Sequence, residues 1–382
     1  MNSIIYFFAY FTAEMILTYI NSYLPIYFSE LQVDTTLLSI ILFFSYLFLF
    51  SRVFISIYFD RKNAKRKKLI IYSSFGINLS FTLLISYLNM LLIFGILLGL
   101  IFTFVSVITV GINKIMIIQS SNVKTKNRNA LIIQLGAISG SLMPIIIFLI
   151  NTNSSFNWNK FFISGVLLTI PFLILVFLLK EGEMNYAFNG GNDPTYKIRK
   201  RPIILISIFL FFSCSDRLFS YSIKPWISFK TSSSFFSLLW FSLTIFCLSG
   251  NIIGGIILRR VNRRYALIFS TQIIGILLFS APFINFYLFL IFFTFYFFVS
   301  GILLVSLISI MMELSQKQVF YYQLIALFSI TAKVVFTPLG TYLFESIDTE
   351  ITIMIAGILI IISAIPVYFI KEDLDKQPRM YS

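Results

Sequence analysis

FDRKNAKRKK, Phe59–Lys68, separates two long apolar runs with one acid and six bases. What flanks the stretch decides the fold. Of 382 residues, 58% are hydrophobic and 12% charged, roughly half the charged share of a soluble domain, so the chain is built for a bilayer. About 20 apolar residues cross the hydrocarbon as a helix, and such runs recur along the whole length. Twelve spans are expected: Ile4 to Phe28, Leu37 to Phe59, Leu69 to Tyr87, Leu91 to Ile118, Ala130 to Ile150, Phe161 to Leu179, Pro202 to Phe229, Phe235 to Leu258, Tyr265 to Phe283, Tyr287 to Met312, Phe320 to Phe344 and Ile351 to Ile370. The first carries Glu14 and lacks a preceding basic region, so it reads as a retained helix and not a signal peptide.

Lys and Arg gather in cytoplasmic loops and orient the helices between them. The loops after even-numbered spans, with the tail, hold twenty-two of the 29 Lys and Arg; the opposite side holds only Lys160, Lys224 and Lys230. Twelve crossings of the cell membrane with both termini in the cytoplasm follow, and most bases of the opening stretch serve as this topology signal. Spread over loops in this way, the net charge of +14 calls for no nucleic acid. Cys214 and Cys247 lie inside spans without metal-ligand spacing and read as buried thiols. No cofactor or metal is expected.

The longest polar break, Glu181 to Arg201, contains Gly190-Gly191 and Asn-Asp-Pro and reads as a flexible cytoplasmic linker. It divides the chain into an N-terminal six-helix bundle, 1–180, the linker, 181–201, and a C-terminal six-helix bundle with a short tail, 202–382. A shift of 199 places lays Ser56 to Lys65 over Gly255 to Arg264: each segment opens on a small residue, reaches Arg five places on and Asn two beyond that, and ends basic. Pro144 in span five is echoed by Pro338 in span eleven. Internal repeats of this kind are typical of secondary transporters, which bind substrate between their halves near the midplane.

On these residues the chain resembles the major facilitator superfamily. That family carries Gly-x-x-x-Asp-Arg-x-Gly-Arg-Arg between helices two and three, with a degenerate copy between eight and nine. Asp60 and Arg61 match the acidic-basic pair; Gly255, Arg260, Arg263 and Arg264 match the second copy, in which Arg259 stands opposite Asp60. Ser56 replaces the first Gly and Asn63 the second, and Asn tolerates left-handed backbone better than most residues. The resemblance implies an all-α membrane protein of two pseudo-symmetric six-helix bundles, with Asp60, Arg61, Arg259 and Arg260 in gating loops. Span eleven begins on the cytoplasmic side, so the positive end of its helix dipole faces the layer of Asp60.

Ionisable groups at membrane depth cost about 2.5–3.5 kcal/mol each on insertion scales and are functional candidates. Span one offers Tyr10, Glu14, Thr18 and Asn21 on one stripe; span seven offers Ser213, Asp216, Ser220 and Lys224, with Arg217 beside the acid; span eleven offers Ser329, Lys333 and Thr337. Glu14 and Asp216 are the candidate proton carriers, Arg217 and Lys333 their candidate partners, and Arg52 a candidate for an anionic group. Because neighbours on a helix point about 100° apart, Asp216 and Arg217 are not expected to satisfy each other. Lys114 is expected to snorkel to the cytoplasmic surface. The Gly136-x-x-x-Gly140 and Gly250-x-x-x-Gly254 pairs suit close helix contacts.

No Gly-x-x-x-x-Gly-Lys-[Ser/Thr] loop is present, which excludes direct drive by ATP. The expected function is secondary active transport of a small organic solute by alternating access, as a proton-coupled symporter and a monomer in lipid. Proton-coupled efflux of lipophilic compounds is the alternative. An intramembrane enzyme is disfavoured, since acid-base chemistry would have only Glu14 and Asp216 to work with and there is no His. A channel is disfavoured by the lack of a repeated filter.

Overall fold

The structure, a computed structural model, describes residues 2–24, 27–28, 41, 43–60, 66–87, 90–120, 122–151, 157–177, 200–219, 223–231, 233–315 and 318–370. Among the described residues, helix falls on each of the twelve expected spans: α1 Asn2–Thr18, α2 Ser51–Asp60, α3 Arg66–Ser86, α4 Leu91–Gln119, α5 Val123–Asn151, α6 Trp158–Phe177, α7 from Lys200–Ser213, α8 Ser233–Ile257, α9 Arg263–Phe279, α10 Phe286–Leu314, α11 Val319–Ser346 and α12 Thr349–Tyr368. Among the described residues, nine helices are long and apolar enough to cross a membrane, counting α2 from Phe43. All but the last two residues of the expected linker, which open α7, lie outside the described residues.

Span seven departs from the expected continuous helix. Its α-helix stops at Ser213, a 3-10 turn covers Cys214–Leu218, and helix resumes over Ile223–Lys230. Tightening to about three residues per turn shifts the phase of every side chain beyond it. The expected stripe from Ser213 to Lys224 therefore does not continue as drawn. In span one α1 passes into a π-helical turn at Tyr19–Tyr23.

The chain forms two compact units. Unit 1 comprises Met1–Gln119, Leu135–Thr195 and Lys317–Gln323; unit 2 comprises Ser120–Gln134, Tyr196–Gln316 and Leu324–Ser382. Within unit 1, α2 packs on α4, α3 on α4 and α6, and α1 on α4 and α6. Within unit 2 the pairing recurs six helices further on: α8 packs on α10, α9 on α10 and α12, and α7 on α12. The weak sequence repeat thus corresponds to a repeated packing plan. Each unit also takes in the first turns of one helix, α5 or α11, from the opposite half of the sequence.

Small residues set the closest approaches. A Cβ added at Gly136 or Gly140 would strike the backbone carbonyl of Phe7 or Phe11, so α5 lies directly on the main chain of α1. Gly250 meets the carbonyl of Phe298 in the same way, seating α8 on α10. In lipid, where helices gain nothing from leaving water, such contacts supply association through dispersion. Ser56, which replaces a motif glycine, is fully buried, and its hydroxyl donates to its own helix at Val53 O, 2.6 Å away. Overpacking a tight contact costs about 1–3 kcal/mol. Gly140→Val is expected to lower the melting temperature of the detergent-purified protein clearly, whereas Gly255→Ala, whose methyl would first meet the movable Leu131 side chain at 2.9 Å, is expected to lower it less.

Candidate functional site

In unit 1, α2 ends on Asp60, and this carboxylate collects donors from two directions. Lys114 Nζ, from α4, lies 2.5 Å from Oδ1. The opening amides of α11 supply the rest: Val319 N–H to Oδ1 at 3.2 Å and Phe320 N–H to Oδ2 at 2.9 Å. First-turn amides have no partner within their own helix and carry the positive end of its dipole, so a carboxylate here is favourable on both counts. Lys114 is buried and does not snorkel; its ammonium is held by Asp60 instead.

Deeper in unit 1, α1, α2, α4 and α11 bring together a polar cluster. Tyr10 donates to Asn113 Oδ1 at 2.6 Å, and Tyr6, one turn earlier, donates to Gln119. Tyr322, from α11, interacts electrostatically with Tyr10 and Arg52. Arg52 Nε donates to Ser106 Oγ at 3.3 Å, an oxygen whose own proton goes to Phe102 O. The Arg52 guanidinium interacts electrostatically with Tyr10, Glu14 and Tyr322, yet Glu14 forms no ion pair within 4.0 Å among the described residues.

Unit 2 holds a second polar cluster at the break in α7. Tyr296, from α10, donates to Asp216 Oδ2 at 3.3 Å, and Arg217 Nε stands 3.9 Å from Asp216 Oδ1. At 3.9 Å the two neighbours stand in loose ionic range, beyond hydrogen-bond distance. The charges of Asp216, Arg217 and Lys333 all act on the Cys214 thiol.

Near the loop between α8 and α9, unit 2 carries a network that the sequence reading missed. Glu313 Oε2 binds Lys126 Nζ at 2.5 Å and stands 3.9 Å from Arg263 Nη2. Arg263 is fully buried and donates to Ser309 Oγ at 3.2 Å; Ser309 donates to Asn127, whose Nδ2 donates to Leu258 O at 3.0 Å. The signal was present, since Lys114 and Glu313 are separated by the same 199 places that relate Ser56 to Gly255.

Of the remaining expected site residues, Arg259 and Arg260 are exposed without a side-chain partner among the described residues, while Arg264 bonds the end of α12 at Val367 O and Tyr368 O. Asn262, the counterpart of Asn63, adopts extended backbone and caps α9 by accepting from Arg264 N at 2.9 Å. Its use is capping and not left-handed turning. Thr18 and Ser213 donate their hydroxyl protons to carbonyls of their own helix, Glu14 O and Leu210 O. Arg61, Asn63, Ser220 and the side chains of Asn21 and Lys224 lie outside the described residues.

No protein-family model matches the chain, and no curated protein matches it in sequence. Solved structures do. The proton:xylose symporter XylE, bound to 6-bromo-6-deoxy-D-glucose, aligns with a TM-score of 0.73 over 95% of this chain and 94% of its own, at 11% identity. The chain has the major facilitator fold. FucP in its outward conformation aligns at 0.68 over 94% of this chain and 97% of its own, with 14% identity, and a variant of the E. coli fucose:proton symporter FucP aligns at 0.68 over 96% and 97%, with 13% identity. This is a multi-pass membrane architecture, and the major facilitator fold accounts for the repeated packing plan.

Removing one member of a buried ion pair costs about 3–5 kcal/mol, and replacing both by apolar groups costs far less. Asp60→Asn is therefore expected to lower the melting temperature markedly, with Lys114→Met added to it restoring most of the loss. Glu313→Gln removes the carboxylate from two cations and is expected to lower the melting temperature more than Lys126→Gln, which leaves Glu313 beside Arg263; thermal unfolding in detergent measures all four.

Proposed function

We propose that the protein is a secondary active transporter of the cell membrane, a monomer surrounded by lipid with both termini in the cytoplasm. It carries a small organic solute together with a proton by alternating access. Residues 1–180 and 202–382 are the moving bundles and 181–201 the tether. Asp60, with Arg61, latches the cytoplasmic side through the first turn of α11, and the loop of Arg259 and Arg260 is its counterpart in the second half. Glu14 and Asp216 take up and release the proton, with Arg52, Arg217 and Lys333 as the cations that modulate them and meet the solute. Tyr10, Thr18, Asn21, Ser213 and Ser220 supply the polar lining.

The observation that carries the reading is the pairing of Glu14 with Arg52 inside the major facilitator fold: two opposite charges at membrane depth that interact without touching. A purely structural ion pair would close to contact, because the interior rewards it. Solved proteins of the same fold are described as symporters of a proton with xylose or fucose, and a loosely held carboxylate is what proton exchange requires.

Purified protein in proteoliposomes tests this. With the outside acidified, a labelled solute from a panel of metabolites is expected to accumulate inside in the wild type. Glu14→Gln and Asp216→Asn are expected to lose at least about tenfold of the proton-driven accumulation, ~1.4 kcal/mol or more of coupling, while still exchanging labelled for unlabelled solute. Full accumulation in both variants removes the proton role; solute driven outward by the same gradient replaces symport with efflux.

A further inference from the structure

Arg52 has five N–H donors in a rigid fork. One, at Nε, is used by Ser106 Oγ; the four on Nη1 and Nη2 have no acceptor among the described residues. The nearby acid, Glu14, likewise accepts no hydrogen bond at its carboxylate among those residues. A guanidinium with an open fork at membrane depth is matched by a planar carboxylate, which takes two parallel N–H bonds, better than by a neutral hydroxyl. Alongside it lie Tyr10 and Tyr322, and Asn113, which accepts from Tyr10 through Oδ1 and keeps its Nδ2 protons without an acceptor among the described residues. This row of hydroxyl and amide groups matches solute hydroxyls.

A carboxylate entering here meets Glu14 on the other side of the same cation. Among the described residues of unit 1, Arg52 is the cation that interacts with Glu14. Besides Glu14, the groups that act on Arg52 are the phenols of Tyr10 and Tyr322. Among the helices of unit 1 packed on α1 and α2, α4 contributes one ionisable residue, Lys114, held by Asp60; α6 contributes Lys160, in its first turn; and the part of α5 from Leu135 onward contributes none. Two carboxylates cannot both stay ionised beside a single guanidinium without strong repulsion. Resting on the transporter reading above, we propose that the Arg52–Glu14 site takes hydroxylated monocarboxylates, and that each binds only as Glu14 takes up a proton. The charge of the occupied site then equals that of the empty one, so a monocarboxylate and its proton cross together as a neutral load.

Calorimetry on the purified full chain, in pairs of buffers that differ in ionisation enthalpy, reads both binding and proton uptake. The probes are gluconate and D-glucuronate, with D-glucose as the neutral match. The acids are expected to bind at least about tenfold more tightly than glucose, with one proton taken up per acid bound. Because binding takes up a proton, affinity rises as pH falls, by roughly tenfold per pH unit wherever the empty site would otherwise give that proton up. Glu14→Gln is expected to bind the acids without proton uptake; Arg52→Lys, which keeps the charge and loses the fork, is expected to lose at least tenfold in acid affinity. Glucose bound as tightly as the acids, acids bound without proton uptake by the wild type, or no binding of either acid each overturns the inference. Proteoliposomes separate it from the reading beneath it. If glucose is carried and the acids are not, transport stands and this inference falls; if the acids bind with a proton but nothing is carried, the inference stands and transport falls.

Discussion

Hydrocarbon solvates neither a free amide nor a bare charge, and the structure follows from that constraint. Each deep polar group must find its partner within protein. Asp60 shows the solution at its most complete, since one carboxylate satisfies a buried ammonium and two first-turn amides that have no partner in their own helix. Helix ends are ordinarily the places where a membrane protein needs water; here an acid at the end of α2 stands in for it. Close glycine contacts have the same origin, because dispersion and hydrogen bonding remain when the hydrophobic effect no longer draws one helix to another.

The two halves meet this constraint with opposite charge placement. In the first, the acid terminates α2 and the lysine projects from α4; in the second, the residue 199 places after that lysine is the acid Glu313 on α10, and the lysine sits at the start of α5. Arg259, opposite Asp60 in the repeat, is left exposed. What the repeat preserves is thus a buried ion pair beside a helix start, while the sign at each position is free to change. Arg263 adds a further buried donor on the second side, anchored by Ser309, for which the described part of the first half has no counterpart at the same offset.

Much of the architecture is legible in sequence because hydropathy and loop charge are one-dimensional signals. A span of Leu, Ile and Phe declares itself residue by residue, and among the described residues helix appears on each of the twelve runs. The break in α7 is not legible, since FFSCSDRL contains neither Pro nor Gly and a 3-10 turn has the same composition as the helix it interrupts. Tyr10, Glu14 and Arg52 stand out as rare polar residues in apolar runs. Asn113 does not, because a neutral amide in the 29-residue α4 carries no charge to attract notice and gains its meaning only when Tyr10 is laid against it. Asn262 is a further case: its place in the repeat is legible, while its role as the cap of α9 depends on where that helix starts.

Contact separates the two pairs of opposite charges in unit 1. Lys114 and Asp60 touch at 2.5 Å with further donors around them, so a visiting anion or cation would have to break several bonds to gain one. Arg52 and Glu14 interact without the contact bonds that hold Asp60 and Lys114 together. A pair at contact resists exchange, and a pair far apart would leave each charge to bear the cost of burial alone.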